Sequence, residues 1–478
     1  MSLTKVTYSM ISGAPANVFD YGAKGDGIAN DTAAIQAAMA ANLSVSFGDI
    51  SNTFNISGTL TLRSGQYLFS NGATLKKVAT MATPMISGIG ISDAKIEGFN
   101  IDGNYTIQVA SIPTIYLESA ESVVLSRLNC INMGCISYIT DLGSLTIYKS
   151  SNILLTDSSW NITNGMNSIH VYGIPSNNVC IQNNYIKNSY SDSGISVTES
   201  MYCKVIGNYV EIAAGSLISF NGTYGTVSGN TVVASSALVF NGITLGHITA
   251  GGSAAFTTCT ENKVKLFGFG DTGISIQAGE RIIVANNFIY GTNGGVYCAT
   301  ADAIISGNNI TGGSTGVSLT ALAINTIVAN NLIDQFTDWG VFSFSSCSIN
   351  GNRIISHIVG AAVGIQLNAA NNVVTGNNIV VPGTPVIPGY SSAVDGGTVF
   401  RGNLIGTDLC SEQIIIPAAT TTVVYYNSNI VAGGVVYLMP LNVYFPLRLA
   451  GITSITNGSL TITCTATAND ATCRVVIL

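Results

Sequence analysis

Charged side chains are scarce in this sequence of 478 residues. Asp, Glu, Lys and Arg together make up 9% of it, whereas about 25% is usual for a globular domain. The mean hydropathy is +0.43, yet there is no run of about 18 apolar residues, the length that a membrane-spanning helix needs. Gly, Ser, Thr or Asn interrupts the apolar residues at every second or third position, which indicates strands rather than helices. The sequence therefore predicts no membrane insertion and little helix.

Basic residues are also few and scattered. The 17 Lys and Arg residues are outnumbered by 24 Asp and Glu residues, which gives a net charge of −7. A nucleic-acid partner needs a basic stripe for its phosphates, so the sequence predicts no binding of nucleic acid. A neutral or acidic groove suits a sugar chain better.

The common catalytic fingerprints are absent too. The sequence has no nucleophile elbow, phosphate-binding loop, HExxH helix or dinucleotide-binding motif. It therefore predicts no cofactor and no metal site, and an active site has to be argued from geometry. Residues 1–17 contain no continuous apolar segment of the kind that a secretory signal needs, which predicts synthesis in the cytoplasm.

The ten cysteines include no CxxC pair, and several stand where other repeats have Val or Ile. We interpret them as small buried hydrophobic residues that stay reduced. Cys464 and Cys473 would lie opposite each other if the chain turned at Ala468 and Asn469. A disulfide at that turn is the alternative.

A repeat extends from Ile181 to Leu404, in which an apolar residue is followed by two variable residues, Asn, one variable residue, and Ile or Val. The period is about 23 residues. We expect two short strands to meet at each Asn, because Asn tolerates left-handed backbone geometry and its amide can bond the Asn of the next coil. The repeated positions are Asn184, Asn208, Asn230, Asn262, Asn287, Asn308, Asn331, Asn352, Asn377 and Asn403.

Another strand precedes each Asn unit and is usually opened by Gly, as in GISI from Gly273 and GVSL from Gly316. The Leu positions and helical segments of leucine-rich repeats are absent. Stacked coils of short strands would bury a continuous core that no single coil could bury. The pattern therefore predicts an all-β fold, a right-handed parallel β-helix.

The segment from Asn30 to Asn42 is the one convincing helix, with Asp31 as its expected N-cap. A helix here would cover the end of the stack, which otherwise exposes an unpaired edge. After Cys410 the repeat stops, and alternating segments such as TTTVVYY predict a small antiparallel β-domain. We expect a neck and cap over residues 1–45, the β-helix over 46–408, and a C-terminal β-rich domain over 409–478.

The segment VFDYGAKGDGIANDTAAIQAA, from Val18 to Ala38, resembles the opening signature of the pectate-lyase-like superfamily, which is common in bacteriophage tailspikes and tail-fibre depolymerases. KVTYSMISG, from Lys5, resembles the neck before the β-helix of many tailspikes. The resemblance covers roughly residues 5–408. It implies a homotrimer closed by the C-terminal domain, a place in the virion tail on the phage tail or an adaptor protein, and bacterial surface polysaccharide as the partner.

Outward positions on successive Gly-type strands form the densest group of ionisable and aromatic residues: Tyr116 and Glu118, Thr146 and Tyr148, His170 and Tyr172, Ser196 and Thr198. A glycosidase needs two carboxyl groups, while a lyase more often uses Tyr, His or Lys as its base. We therefore predict catalytic roles for Glu118, Glu199, Asp192 and His170, and sugar stacking for Tyr148 and Tyr172. The alternatives are solvated strand residues, a structural turn at Asp192, and subunit packing for the tyrosines.

Two other places compete with this group. Glu280 and Asp302 each follow a strand glycine by seven residues and should stack beside Arg281, as a carboxylate pair or a turn salt bridge. Trp339, Phe342 and Phe344 form an outward aromatic cluster, either a carbohydrate shelf or a trimer interface. A site between subunits is the third possibility.

The predicted function is a tailspike depolymerase that cleaves capsule or O-antigen, as an endo-glycosidase or as a lyase. A receptor-binding spike without turnover has the same fold. A secreted pectinolytic enzyme or epimerase is the third hypothesis, because this fold hosts all of these functions.

Overall fold

The computed structural model describes residues 14–478 except 79–80, 106–111, 136–142, 166, 189–192, 248–251, 267–271, 359–362, 382–385, 388–398, 402, 406–410, 417–421, 427–435, 441–450, 457–458, 464–470 and 478. The described residues form a right-handed parallel β-solenoid of about 13 turns with almost no helix, which confirms the predicted fold class. The chain divides into two compact units, residues 1–258 with 262–270 and residues 259–261 with 271–478.

The strands of each turn fall into three rows. Row 1 holds the strands that precede the repeated Asn, row 2 the strands that follow it, and row 3 the Gly-type strands. In the first unit, row 1 consists of Ala16–Asn17, Ser44–Asp49, Tyr67–Asn71, Lys95–Glu97, Val124–Ser126, Leu154–Thr156, Cys180–Gln182, Lys204–Ile206 and Thr226–Ser228. Row 2 there consists of Asp26–Asn30, Thr53–Ile56, Thr74–Lys77, Asn100–Asp102, Asn129–Cys135, Ser159–Gly165, Tyr185–Asn188, Tyr209–Thr223, Thr231–Leu245 and Lys263–Lys265.

Row 3 of the first unit consists of Leu60–Thr61, Ile86–Ile89, Ile115–Glu118, Gly143–Tyr148, Asn167–Tyr172 and Ser193–Met201, and the short strand Ser176–Asn177 pairs with the end of the last. Tyr209–Thr223 and Thr231–Leu245 are 15 residues long and continue from row 2 into row 3. The first two strands already belong to the parallel rows, since Ala16–Asn17 pairs with Ser44–Asp49 and Asp26–Asn30 pairs with Thr53–Ile56.

The second unit repeats the three rows. Row 1 consists of Ile283–Ala285, Ile304–Ser306, Thr326–Ala329, Cys347–Asn350, Val373–Thr375 and Val399–Arg401. Row 2 consists of Phe288–Tyr290, Asn309–Thr311, Leu332–Asp334, Arg353–Ile355, Asn378–Val380 and Leu404–Ile405. Row 3 consists of Thr272–Ile276, Gly294–Cys298, Thr315–Leu319, Trp339–Ser343, Val363–Leu367 and Val386–Ile387. Thr258–Thr260 spans the division of the chain between the two units.

The core consists of inward side chains stacked in register. In row 2 of the second unit, Ile289, Ile310, Ile333, Ile354 and Ile379 are equivalent, and all are buried. The neighbouring residues of each strand point outward, as the alternation of a strand requires. Each apolar side chain is therefore covered by its equivalents in the adjacent turns, which is the burial that the repeat predicts.

The predicted asparagine ladder lies where row 1 passes into row 2. Asn308 donates from Nδ2 to Asn331 Oδ1 at 2.9 Å and accepts at Oδ1 from Asn287 Nδ2 at 2.9 Å. The sequence predicted left-handed backbone geometry at the ladder Asn. In the structure the left-handed residue is the one before it, for example Asn286 with φ 57° and Gly307 with φ 66°. Asn or Gly precedes most of the ladder residues because these two types tolerate that conformation best.

The Gly-type strands of the second unit stack with their glycines in register, as predicted. A Cβ at Gly316 would overlap the Ile333 side chain and the carbonyl oxygen of Gly340. Rows 2 and 3 approach so closely here that only Gly leaves the space. The glycine therefore reflects close packing at the start of the strand.

An α-helix, Thr32–Ala41, and a 3₁₀ helix, Val18–Tyr21, lie near the first strands of the first unit. Asp31 occupies the N-cap position, as predicted, but its side chain does not cap the helix. Its carboxylate instead accepts hydrogen bonds from the backbone N–H groups of Lys24 at 2.6 Å and Gly25 at 3.2 Å. Asn30 accepts the N–H of Thr32 at 3.1 Å. No helix of the described chain is both long and apolar enough to cross a membrane.

The C-terminal strands pair antiparallel, in line with their alternating pattern. Ala471–Ile477 pairs with Ser411–Ile416 and Val436–Pro440, while Ser459–Thr463 pairs with Thr422–Tyr426 and Gly451–Thr456. The alternative turn at Ala468 and Asn469 that would place Cys464 opposite Cys473 lies outside the described residues, and the strands on either side of it, Ser459–Thr463 and Ala471–Ile477, pair with other strands. Cys464 itself lies outside the described residues.

Candidate functional site

Five residues of successive turns form one outward group on row 3 of the first unit. Tyr116 and Glu118 lie on the strand Ile115–Glu118, and Glu118 is in register with Tyr148 and then Tyr172. Lys149 directly follows Tyr148. We call Tyr116, Glu118, Tyr148, Lys149 and Tyr172 the row 3 patch.

Tyr116 and Glu118 form a pair within one strand. Residues two apart point to the same side of a strand, and the Tyr116 hydroxyl donates to Glu118 Oε2 at 3.0 Å. Burial, and then the hydrogen bond to Glu118, raise the pKa of Tyr116 well above its usual value. Tyr116 therefore stays a neutral hydrogen-bond donor to Glu118 at physiological pH.

Tyr148 and Tyr172 stack on each other in adjacent turns. Their ring centroids are 4.5 Å apart with an interplanar angle of 28°. Lys149 Nζ lies 4.8 Å from the centroid of the Tyr148 ring, a cation–π contact. The hydrogen bond of Lys149 to Tyr148 raises the pKa of the lysine, which keeps it positively charged.

Lys149 is a member of the patch that the sequence pattern missed. Strand alternation identified the outward residues of the strand Gly143–Tyr148, and Lys149 lies one position beyond it. Its backbone is left-handed, with φ 48°, so the chain turns there. Its position directly after an outward Tyr was the only sequence signal.

His170 lies beside the patch but is buried, with 2% of its surface exposed. Its ring stacks on Tyr172 with centroids 4.7 Å apart. Thr146 and Ser196, its register neighbours, are buried as well. The prediction that these three side chains are outward and solvent-facing is therefore wrong on exposure, because alternation gives the side of the strand and not what packs over it.

The other two predicted carboxylates do not join Glu118 in the structure. Glu199 is exposed at a left-handed position, φ 52°, inside the strand Ser193–Met201, where the pairing register shifts after Thr198. It lies three turns from Glu118, about 14 Å at the usual strand spacing. Glycosidase carboxylates lie at most about 9.5 Å apart, so these two cannot act as one pair within a chain. Asp192 lies outside the described residues.

The predicted stacking of Glu280 on Asp302 is wrong by one residue. Ile283 pairs with Ile304, and both Arg281 and Asp302 have left-handed backbones, so Asp302 is level with Arg281. The turn after the strand Thr272–Ile276 is one residue longer than the turn after Gly294–Cys298. Sequence positions counted from the strand glycines are therefore displaced by one residue after this turn.

The aromatic cluster of the second unit is present as predicted. Trp339 stacks on Phe342 with ring centroids 4.7 Å apart, and Phe344 meets Phe342 edge-on at 4.8 Å. Phe344 is 48% exposed. Trp339 Nε1 donates to Gln366 Oε1 at 2.7 Å, which fixes the indole on the outer face of row 3.

Two phage tailspikes have a similar structure over nearly the whole chain. The tailspike of E. coli bacteriophage HK620, a double mutant in complex with a pentasaccharide, aligns with 97% of this chain and 93% of its own, at 12% identity and a TM-score of 0.53. Tailspike gp61 of Pseudomonas phage phi297 aligns with 97% and 98%, at 12% identity and a TM-score of 0.51. The A-module of a mannuronan C-5 epimerase from Azotobacter vinelandii aligns with 81% and 100%, at 19% identity and a TM-score of 0.45. The two tailspike alignments show a shared fold.

Residues 257–405 match the family model described as periplasmic copper-binding protein (NosD), which is less than half of the chain. No curated protein sequence matches. Cys259, Cys298 and Cys347 are buried in this segment, and burial raises the pKa of the Cys347 thiol to about 11. Across the described residues, no group of three or more His, Cys, Asp or Glu side chains is placed to hold a metal ion. These donors do not fit a copper site.

Proposed function

We propose that this protein is a phage tailspike that binds bacterial surface polysaccharide, capsule or O-antigen, along the row 3 patch and cleaves it as an endo-glycosidase. The observation that carries the proposal is the Glu118 carboxylate, held by Tyr116 beside the stacked Tyr148 and Tyr172. A sugar ring has apolar C–H faces and polar edges, which suits aromatic rings beside a carboxylate. The HK620 tailspike of the same fold carries a pentasaccharide.

Each residue of the patch has a role in this proposal. Glu118 exchanges a proton with the glycosidic oxygen or the attacking water, and Tyr116 orients its carboxylate. Tyr148 and Tyr172 contact the sugars, and the buried His170 ring stacks on Tyr172. The charge of Lys149 favours an acidic sugar. Asp192, which precedes the strand Ser193–Met201, stays the predicted second carboxyl group, and Glu199 serves a separate subsite.

The assembly is part of the same proposal. Residues 409–478 would close a homotrimer, and residues 1–45 would cap the solenoid and connect it to the phage tail or an adaptor protein. The low content of charged residues, 9% of the sequence, supports close packing of three chains, since uncharged surfaces cost less to desolvate than charged ones.

A receptor-binding spike without turnover is the second candidate, and the separation of Glu118 from Glu199 favours it. A polysaccharide lyase has less support, because the raised pKa values of Tyr116 and Lys149 make both poor bases at neutral pH.

Incubation of the purified protein with host polysaccharide distinguishes the three functions. A hydrolase releases new reducing ends, a lyase also produces the ultraviolet absorbance of an unsaturated uronate, and a receptor spike leaves the polymer intact. For the hydrolase, we expect Glu118→Gln to lower kcat by at least about 100-fold with little change in binding. We expect Tyr172→Ala to weaken binding roughly tenfold through lost ring contact.

Glu261→Gln is the matched control, because Glu261 is an exposed carboxylate at a turn outside the patch. It should cleave like the wild type. Cleavage by Glu118→Gln at the wild-type rate would contradict the role of Glu118. An intact polymer that binds tightly to the wild type but weakly to Tyr172→Ala would establish the receptor spike instead.

A further inference from the structure

A shallow cleft of about 590 Å³, wide open to solvent, lies in the first unit, away from the row 3 patch, where row 1 passes into row 2. It spans three successive turns and is lined by Arg127, Asn129, Asp157, Ser159, Asn183 and Tyr185, among others. Its volume lies in the range of small-ligand sites. None of these residues has a part in the function proposed above.

Tyr185 presents one open ring face to this cleft. Tyr209, in the next turn, covers the other face, with ring centroids 5.0 Å apart and an interplanar angle of 5°. In the preceding turn, the residue in register with Tyr185 is Ser159, whose side chain is too small to cover a ring. The aromatic stack therefore ends at the cleft, and Tyr185 is 43% exposed.

The stack is held rigidly from the side away from the cleft. The Tyr209 hydroxyl donates to Glu211 Oε2 at 3.2 Å, and Glu211 pairs with Lys187 at 3.0 Å. Tyr185 is thus supported by a fixed ring rather than by solvent. A preformed platform of this kind loses little conformational entropy when a ligand stacks on it.

Polar groups surround the open ring face. Arg127 and Asp157 occupy equivalent left-handed turn positions, both with φ 52°, in adjacent turns. Arg127 Nη2 is anchored by Glu97 Oε1 at 2.7 Å, and Asp157 Oδ2 accepts from the Thr156 hydroxyl at 2.9 Å. Their remaining donors and acceptors, with those of Asn129 and Asn183, line the cleft next to the ring.

We propose that this cleft is a second saccharide-binding site, which takes a short, uncharged stretch of an oligosaccharide with one sugar ring on Tyr185. An aromatic face ringed by amide, carboxylate and guanidinium groups matches the apolar face and hydroxyl edge of a sugar. The ligand is uncharged because the positive charges of Lys95 and Arg127 are balanced by the negative charges of Glu97 and Asp157. The ligand class rests on the proposed function, and the site would hold the polymer while the row 3 patch acts on it.

Two opposite extensions of the same aromatic stack test this site. Ser159→Tyr would add a ring over the open face of Tyr185 and fill the cleft. Thr231→Tyr is the matched control, because Thr231 is in register with Tyr209 and extends the stack at its other end, where the cleft is not affected. Both variants introduce a tyrosine in place of a small hydroxyl side chain on an outward position of row 2, so a folding defect should not separate them.

The probe is a printed array of bacterial capsule and O-antigen oligosaccharides, followed by titration of the hits. Each stack variant is made in the wild type and in Tyr148→Ala/Tyr172→Ala, which disables the row 3 patch. We expect Tyr148→Ala/Tyr172→Ala to bind the oligosaccharide more weakly than the wild type. Addition of Ser159→Tyr to this double variant should lower the affinity by at least about tenfold more, whereas addition of Thr231→Tyr should leave the affinity unchanged.

The outcomes separate the second site from the proposed function. Complete loss of binding in Tyr148→Ala/Tyr172→Ala, with no effect of Ser159→Tyr in the wild type, would overturn the second site and leave the row 3 patch standing. Binding that is weakened by Ser159→Tyr but not by Tyr148→Ala/Tyr172→Ala would support the cleft as a binding site and contradict the row 3 patch. No binding of any oligosaccharide by the wild type would overturn the ligand class of both.

Discussion

The Glu97 carboxylate is contacted by three side chains on the outer face of row 1. Lys95 Nζ lies at 2.7 Å, Arg127 Nη2 at 2.7 Å, and the Tyr67 hydroxyl donates at 2.6 Å. The hydrogen bonds from Lys95 and Tyr67, together with both positive charges, lower the pKa of Glu97 to about 2. The Glu97 side chain is 14% exposed, whereas the side chains of Lys95 and Arg127 are 40% and 64% exposed, so solvent screens the two ion pairs in part.

A lowered pKa makes this residue a pH-dependent source of stability. The stabilisation is fully present above the ordinary carboxyl pKa of about 4.3 and is lost as the pH falls towards the folded-state value of about 2. We therefore expect Glu97→Gln to lower Tm at pH 7, and the Tm difference from the wild type to shrink between about pH 4.5 and pH 2.

Thermal melts followed by circular dichroism over this pH range measure the effect. Glu121→Gln, an exposed carboxylate on the following turn, should melt like the wild type throughout. A Tm difference for Glu97→Gln that stays constant from pH 7 to pH 2.5 would contradict the assigned titration.

Asparagine ladders are the structural element that joins the turns where row 1 passes into row 2. Asn308 is buried, donates to the carbonyl oxygen of Val284 at 2.9 Å and to Asn331, and accepts from the backbone N–H and side-chain amide of Asn287. Each ladder residue thus satisfies polar groups of the turns on both sides. Water does not reach these groups, so the loss of one Asn leaves several of them unpaired.

We expect Asn308→Ala to destabilise the protein by about 3 kcal/mol, because an unsatisfied buried polar group costs about 1–3 kcal/mol and several would be created. Asn309→Ala is the matched control. Asn309 is the next residue, points outward and makes one long contact with Thr311 at 3.3 Å, so its loss should cost under about 0.5 kcal/mol. Denaturant unfolding curves of both variants measure the difference, and equal midpoints would refute the role of the ladder.

The relative positions of residues follow from sequence spacing within a strand but not across a turn. Within a strand, the period of two placed Tyr116 with Glu118 correctly, and the match of equivalent strands in adjacent turns placed Tyr148 beside Tyr172. Across a turn, one additional residue moved Glu280 out of line with Asp302. Turn lengths vary without changing the hydrophobic pattern, so the register between a strand and the next turn follows from backbone pairing.

At the scale of the whole molecule, the proposed homotrimer gives a direct prediction. Light scattering of the purified protein should give three times the chain mass of 49.4 kDa. Removal of residues 409–478 should give a smaller oligomer, while circular dichroism retains the β signal of the solenoid. A monomer mass for the full chain at micromolar concentration would rule out a stable trimer and any active site shared between subunits.

Sequence alone determined the solenoid, its period, the ladder positions and the glycines of row 3. Stacked turns have the same physical requirements, so the same residue types recur at regular intervals in the sequence. It also identified Glu118, Tyr148 and Tyr172 as neighbours, since a parallel register makes distant residues adjacent. Tertiary structure decided the features that the repeat does not specify. These are the burial of His170, the position of Lys149 in the row 3 patch, the distance of Glu199 from Glu118, and the open ring face of Tyr185. These depend on which side chain fills the next turn, and adjacency across turns is a property of packing rather than of sequence spacing.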